Sequence, residues 1–522
     1  MILTHILACL AATVTAAGTQ GQAPPTTIPA GCAELQRAFP SKLFLPGSEV
    51  YAHEARSFWS NTELQSPGCV FRPACALDVS AAVRASRRTG TPFAVRGGGH
   101  MGVPGANSIG GHGVLVVMSA LTAMEVSPDG ARVTLGPGLR WGDVYGFLAP
   151  RGLAVAGGRL APVGVPGLLL AGGVSFHGNR RGWAADNVVA YEVVLADGRV
   201  VAATAEGAEA DLFWALKGGG GGGHHLGVVT RFTLRAFASG VVWGGVHTVS
   251  GEHMGAFLDA VAAYAAEGGD VDPRSHIVPM VIPLGPGAIA ASVMLFYDGE
   301  GTAAAAAELE AAARACFAPF LALPALMSSV GPKTLAAFAE ENAALVRDGI
   351  SDVFAAGTAV GRDRDELLRG LRATLGAFLG ALPALYAVVP PERVHLVSLD
   401  WQPIGAAWQA GSRAANPGGS PLSVVDPDAK GTYLAWALVA EWVGDEYDGL
   451  AMEWVESTTR AIEEAARREG VWDAFTYMGD AAGFQEVFPG YGEENSRRLV
   501  EVALKYDPEM VFQELWPGGF RL

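Results

Sequence analysis

The chain has 522 residues, half of them hydrophobic and 69 of them glycine, and a formal net charge of −16. This length exceeds one ordinary core and predicts two domains. The acidic balance excludes functions that need a basic face, so neither nucleic acid nor an anionic membrane is an expected partner.

The chain opens with "MILTHILACLAATVTAAG", an apolar run ending in small residues. It predicts a secretory signal over 1–17 and an extracellular protein. Beyond it, no run is expected to be long and apolar enough to span a bilayer. Once Cys9 leaves with the signal, Cys32, Cys69, Cys75 and Cys316 remain, with three possible pairings. In an oxidising compartment Cys32–Cys69 is the expected pair, tying an N-terminal arm (18–65) to the first domain. No C-x-x-C and no Cys/His ligand spacing occurs, so no metal site is expected.

From Cys69 the pattern reads strand, helix, strand, then a glycine loop, "FAVRGGGHMG". A strand and a hairpin turning at Asp129-Gly130 follow, then a short helix with Trp141, Tyr145 and Leu148 on one face. A second hairpin turns at Asp197-Gly198; a helix stopped by Gly218 and a strand, "GVVTRFTLRAF", come next. Past about residue 240 five candidate strands of one sheet alternate with Ala-rich helices; they include "AIAASVMLFYD", "RVHLVSLDWQPI" and "TYLAWALVAEWV". "SRAANPGGSP" reads as a loop, and the last forty or so residues as glycine- and aromatic-rich loops.

Gly97, Gly99 and Gly102 match G-x-G-x-x-G, the fingerprint of a nicotinamide dinucleotide site. That turn must open a helix whose N-terminus receives the pyrophosphate, and "VPGANSIGGHG" has no helical period. A second match, Gly218, Gly220 and Gly223, lies inside a glycine run. The Rossmann reading is rejected. Four glycine-rich segments (95–101, 135–145, 156–189 and 214–232) nevertheless flank strands. Clustered glycines let main-chain N–H groups approach a phosphate, a device suited to a chain poor in cations.

With these segments the sequence resembles the FAD-linked oxidoreductases of the vanillyl-alcohol oxidase/p-cresol methylhydroxylase type, in their berberine-bridge-enzyme-like, fungal secreted branch. The resemblance runs from about Cys69 to Phe237 and resumes at the C-terminus around Tyr491, Asn495 and Tyr506. It implies an α+β fold: a two-part FAD-binding domain (66–240 with 484–522) and a substrate domain (241–483) whose antiparallel sheet is covered by helices. It implies FAD bound covalently through the histidine of R-G-G-G-H, His100, to the flavin 8α-methyl. Leu160 stands where many relatives carry a second, cysteine tether, so a single link is expected. Arg96, Gly97, Gly98, Gly99, Met101, Gly138, Gly158, Val163, Gly164, Gly167, Gly172, Gly173, Asn187, Val228, Tyr491 and Asn495 are the further cofactor-binding positions the resemblance implies. "HHLG" replaces the family's Asn-Phe-Gly; His224 and His225 either face the flavin edge or cap the glycine loop, the latter being the favoured reading.

For the chemistry, "FTYMGDAAGF" keeps Tyr477 of the family's Tyr-x-Asn-Tyr-like motif but has Gly479 and Asp480 in place of the Asn-Tyr pair. Asp480 is the candidate base, with Tyr477 and His395 as further catalytic candidates. Asp400, Gln402, Tyr297 and His177 are weighed beside them, Asp400 and Gln402 sharing a strand with His395. The expected activity is an oxidase, passing a hydride from a small organic molecule to FAD and on to O2. A dehydrogenase, an oxidative cyclase and a non-catalytic flavin-retaining protein are the alternatives. The protein is expected to be a monomer.

Overall fold

The computed structural model describes residues 28–221, 226–268, 270–299, 306–344 and 346–522. The predicted signal over 1–17 and the pair His224 and His225 lie outside them.

Three β-sheets carry the α+β architecture. In the first, Cys69–Phe71, Val114–Val117 and Phe93–Arg96 run parallel, and Leu43–Phe44 adds an antiparallel edge. Parallel strands need a crossover, and the helix Ala76–Thr89 carries the chain from Cys69–Phe71 to Phe93–Arg96, with Val114–Val117 between them. That helix ends at Gly90 with φ +64°, a left-handed conformation glycine adopts without steric cost. Cys32 and Cys69 form a disulfide with a Cα–Cα distance of 5.9 Å. It joins the helix Ala30–Ala38 to the first sheet strand. The second sheet is antiparallel, from Met124–Val126 through Arg132–Leu135, Val228–Arg235 and Val188–Val194 to Val200–Ala203. Both predicted hairpins are present, with Gly130 at φ +71° and Gly198 at φ +84° in their turns.

The third sheet has nine strands, all antiparallel to their neighbours. One face packs against the helices Met254–Ala266, Arg364–Val388 and Asp448–Arg468. Along the strand Thr432–Trp442, alternate residues Leu434, Trp436, Leu438 and Ala440 enter that core. The other face turns toward the glycine-rich segments.

Several segments depart from the sequence reading. Arg364–Val388 has 25 residues and a composition apolar enough to cross a membrane, contrary to expectation. Here its Leu367, Leu371, Phe378 and Leu385 are buried against the sheet. "SRAANPGGSP" begins inside the helix Ala406–Ala415, and Glu493–Tyr506 is a helix within the supposed C-terminal loops. The 11-residue strand Ser351–Gly361 was not anticipated. The segment after Gly102 holds no helix, as the rejection of the Rossmann reading requires.

Candidate active site

Between the cavity-side face of the nine-stranded sheet and the glycine segments lies a cavity of about 330 Å³. Its floor begins where the strand Phe93–Arg96 ends. A Cβ on Gly98 would lie 2.4 Å from Gly164 Cα, and one on Gly164 would lie 2.7 Å from Gly98 Cα. Two backbones thus touch where any side chain would separate them. Gly99 adopts φ +67°, and Pro166 packs where a Gly97 side chain would stand. Gly220 and Gly221 complete the cradle, each donating its N–H to Leu170 O. Gly167 lines the cavity with open space where its Cβ would be. Met101, Val163 and Val228 are also walls. A bare, main-chain-lined cleft of this kind fits a long diphosphate cofactor.

His100 also lines the cavity, stacked on Trp59 with ring centroids 4.7 Å apart. Burial, with the nearby charge of Arg140, depresses its pKa to about 3, so the imidazole is neutral. Leu160 is a wall residue close by in sequence to Val163.

The polar end of the cavity comes from three distant segments. Arg159 Nη1 donates to Gln402 Oε1 at 2.9 Å, and Gln402 Nε2 lies 2.8 Å from His276 Nε2. The carboxamide nitrogen donates, so His276 Nε2 accepts; burial holds that imidazole neutral, near pKa 3. Asp480 and Asp400 join Arg159 on the wall. Burial raises Asp480 to about 6 against the opposing pull of Arg159. Burial also raises Asp400 to about 7, helped by Asp480 and opposed by Ser398 and Arg159. A carboxylate poised near neutrality beside a fixed cation can take up a proton and release it. Tyr477 lines the same cavity, and its hydroxyl accepts the Val174 N–H at 3.2 Å. Burial pushes that phenol well above its ordinary range. Its ring occupies the space beside Gly479, where a Cβ would lie 2.5 Å from Tyr477 Cε1. With Tyr477 so placed, an asparagine has no room at position 479.

Other anticipated residues stand outside the walls. Strict alternation along Val394–Ile404 would put His395 on the face opposite Asp400. A register shift between Val394 and Leu396 re-aims it, so that His395 Nε2 comes within 3.8 Å of Glu441 Oε2, away from the cavity. Arg96 is buried in an ion pair with Glu54 and does not face the cleft. Tyr297 donates to Asp272 at 2.6 Å, and His177 lies 3.5 Å from Asp298. Gly138 makes room for Met118 O and Gly158 for the Trp141 ring. Gly172 and Gly173, at φ +102° and +83°, shape a turn whose carbonyls accept from Ala185 and Ala184. Asn187 donates to Arg181 O and Trp183 O, Tyr491 to Gly218 O, and Asn495 to Pro421 O. These groups brace the loops behind the walls.

Sequence reasoning passed over Arg159 and Trp59. It also passed over Trp516, which closes the first-sheet end of the cavity and donates its indole N–H to Ala106 O at 2.8 Å.

A family model described as an FAD binding domain matches residues 67–204. The chain is 33% identical to the FAD-dependent monooxygenase prx3 of Penicillium roqueforti, over 94% of this chain and 93% of that one. Among solved structures, 6-hydroxy-D-nicotine oxidase of Arthrobacter nicotinovorans superposes with TM-score 0.72 at 23% identity, covering 91% of this chain and 96% of that one. The BBE-like 1 protein of Physcomitrella patens superposes with TM-score 0.69 at 19% identity, covering 92% and 97%.

Proposed function

Because the chain belongs to a family of FAD-dependent oxidoreductases and has the fold of flavin oxidases and BBE-like proteins, we propose that it is an oxidase of a small organic substrate, of the vanillyl-alcohol oxidase/p-cresol methylhydroxylase type and its berberine-bridge-enzyme-like branch. The observation that carries this reading is a half-buried carboxylate, Asp480, raised to about 6 in the same cavity as the glycine cradle and His100.

The cradle of Gly97, Gly98, Gly99, Gly164 and Gly167 would hold the cofactor. His100 would be its one covalent attachment, at the flavin 8α-methyl, because Leu160 has no thiol to offer. Bound FAD supplies a two-electron acceptor that passes those electrons to O2, giving H2O2. Asp480 accepts the O–H or N–H proton of the substrate. Arg159, fixed by Gln402 and His276, orients the substrate heteroatom and stabilises negative charge developing there. Tyr477 holds the loop at Val174, and the apolar walls around Met280 and Met294 exclude water. A substrate with an alcohol, sugar, phenol or amine group suits this surface. Export from the cell, supported by the disulfide, and action as a monomer complete the proposal.

A substrate found by flavin bleaching provides the test. Asp480→Asn should slow anaerobic flavin reduction by roughly 10²–10⁴-fold, the usual worth of a positioned base, with flavin content unchanged. The wild-type rate should rise with pH through about 6, because the base must be unprotonated to act. An unaltered rate in the variant would remove Asp480 from the mechanism. The name monooxygenase on the Penicillium relative favours a second reading, insertion of one oxygen atom into the product. Isotopically labelled O2 separates the two: the label appears only in H2O2 for an oxidase and in the organic product for a monooxygenase.

A further inference from the structure

The cavity-side face of the nine-stranded sheet carries acidic groups that the reaction above leaves unused. Asp352 and Glu441 stand directly opposite each other on neighbouring strands, 0% and 4% exposed. Neither carboxylate oxygen of Asp352, nor Oε2 of Glu441, has a hydrogen-bond partner among the described residues. Two facing carboxylates whose buried oxygens lack hydrogen bonds cannot both stay ionised in such a place; holding a proton is the less costly state. Burial, with Glu441 and Asp348 nearby, raises Asp352 to about 9. Burial and Asp400 raise Glu441 to about 8, opposed by Arg347.

The pair is continuous with the cavity. Asp400, Ser398 and Leu396 follow one another at two-residue steps on the same face. Leu396 lies opposite Glu441 and Ser398 opposite Val439. Ser398 and Glu441 are therefore diagonal neighbours, about 7–8 Å apart at Cα and within reach of a long side chain. Ser398 stands two residues from Asp400 on the same face and lowers its pKa, and Asp480 acts on Asp400 by charge. On the far side the bulge brings His395 to Glu441, and His395 keeps 24% of its side chain in solvent. Arg347 Nη1, which can only donate, lies 3.4 Å from His395 Nδ1. In the neutral ring this leaves the proton on Nε2, facing Glu441.

We propose that Asp400, Ser398, Glu441 and Asp352 form a proton exit from the cavity, with His395 as its outer positioning residue. The inference rests on the reading that Asp480 takes a proton from the substrate. That proton leaves Asp480 as a new O–H bond forms on Asp400. Glu441 gives its own proton to water beside His395, and the proton from Asp400 crosses the Ser398 hydroxyl to replace it. No electrons move, and each donor is left as the carboxylate or hydroxyl that began the step. Asp352 keeps one proton on the inner pair, so a second arrival drives one outward. The Nε2–H of His395 stabilises the Glu441 carboxylate after release.

The test uses the FAD-loaded protein, photoreduced without oxygen, with a pH-indicator dye reporting protons taken up along the same path in reverse. In the wild type, proton uptake should keep pace with flavin bleaching. In Glu441→Gln, which keeps the shape but carries no exchangeable acid, uptake should lag by at least about tenfold while bleaching is unchanged. Glu441→Asp should restore the pace, which a merely structural role would not do. A Gln variant that keeps pace overturns the proposal.

Stability against pH gives a measurement without photochemistry. Asp352 and Glu441 bind protons more tightly folded than unfolded. Their contribution is therefore greatest below their ordinary values of 3.8 and 4.5, and falls as pH rises toward about 9 and 8. Asp352→Asn should flatten that fall; a decline the same in wild type and variant overturns the proton-holding pair. Photoreduction uses no substrate, so an active Asp480→Asn enzyme would remove the proposed base without deciding the exit.

Discussion

His100 combines two properties that a covalent tether needs: a neutral ring, depressed to about pKa 3, and a fixed orientation set by Trp59. Acid-denatured protein should therefore keep its flavin as a fluorescent band on a denaturing gel. His100→Ala should release it, because main-chain hydrogen bonds do not survive unfolding and a covalent bond does. A colourless wild-type band would strip His100 of that role, and a yellow variant band would reveal a second link. His100, Tyr477 and Asp480 were legible because each sits in a short motif whose neighbours are informative. Arg159 was not. An arginine in a glycine-rich loop reads as solvated, and its partner Gln402 is 243 positions away. The available signal was its isolation: no acid stands near it in sequence to pair with.

Close approach of Gly98 and Gly164 makes a sharp prediction at the level of elements. Gly98→Ala sets a methyl against backbone that cannot swing aside, so it should destabilise by about 1–3 kcal/mol and lower flavin content. Gly146→Ala, on an exposed helix position with nothing within 4 Å, is the control and should leave both unchanged or slightly improved. Thermal melting and the flavin-to-protein absorbance ratio measure the two effects. Five of the six long strands of the third sheet were legible because each is a bounded apolar run. "SDVFAAGTAVG" was not, since alanine and glycine carry little strand preference, and pairing with Thr432–Trp442 is what makes it a strand. Glu493–Tyr506 did carry a helical signal, with Glu493 and Glu494 in its first turn and Leu499, Val502 and Ala503 buried. Adjacent glycines and aromatics obscured it. The bulge at His395 has no sequence signature, so the face that residue takes had to come from the register.

For the whole molecule, the Cys32–Cys69 bond closes a loop of 37 positions beside the first sheet. A chain-entropy estimate makes it worth about 4 kcal/mol. Cys32→Ser should shift the denaturant midpoint down by a corresponding amount, and an unchanged midpoint would mean that packing of Ala30–Ala38 suffices alone. The change of texture near residue 240 coincides with the start of the third sheet at Val241, because glycine loops and long apolar strands serve different architectures. How the parts on either side of it meet was not legible, because it depends on contacts such as Trp516 with Ala106, 410 positions apart. That contact has a consequence for the timing of biosynthesis. At roughly 5–20 residues per second, a ribosome that has made Ala106 needs about 20–80 s more to reach Trp516. Throughout that interval the nascent chain presents an open half-site. The flavin can be enclosed only after translation has passed Trp516, so cofactor loading belongs to the end of synthesis.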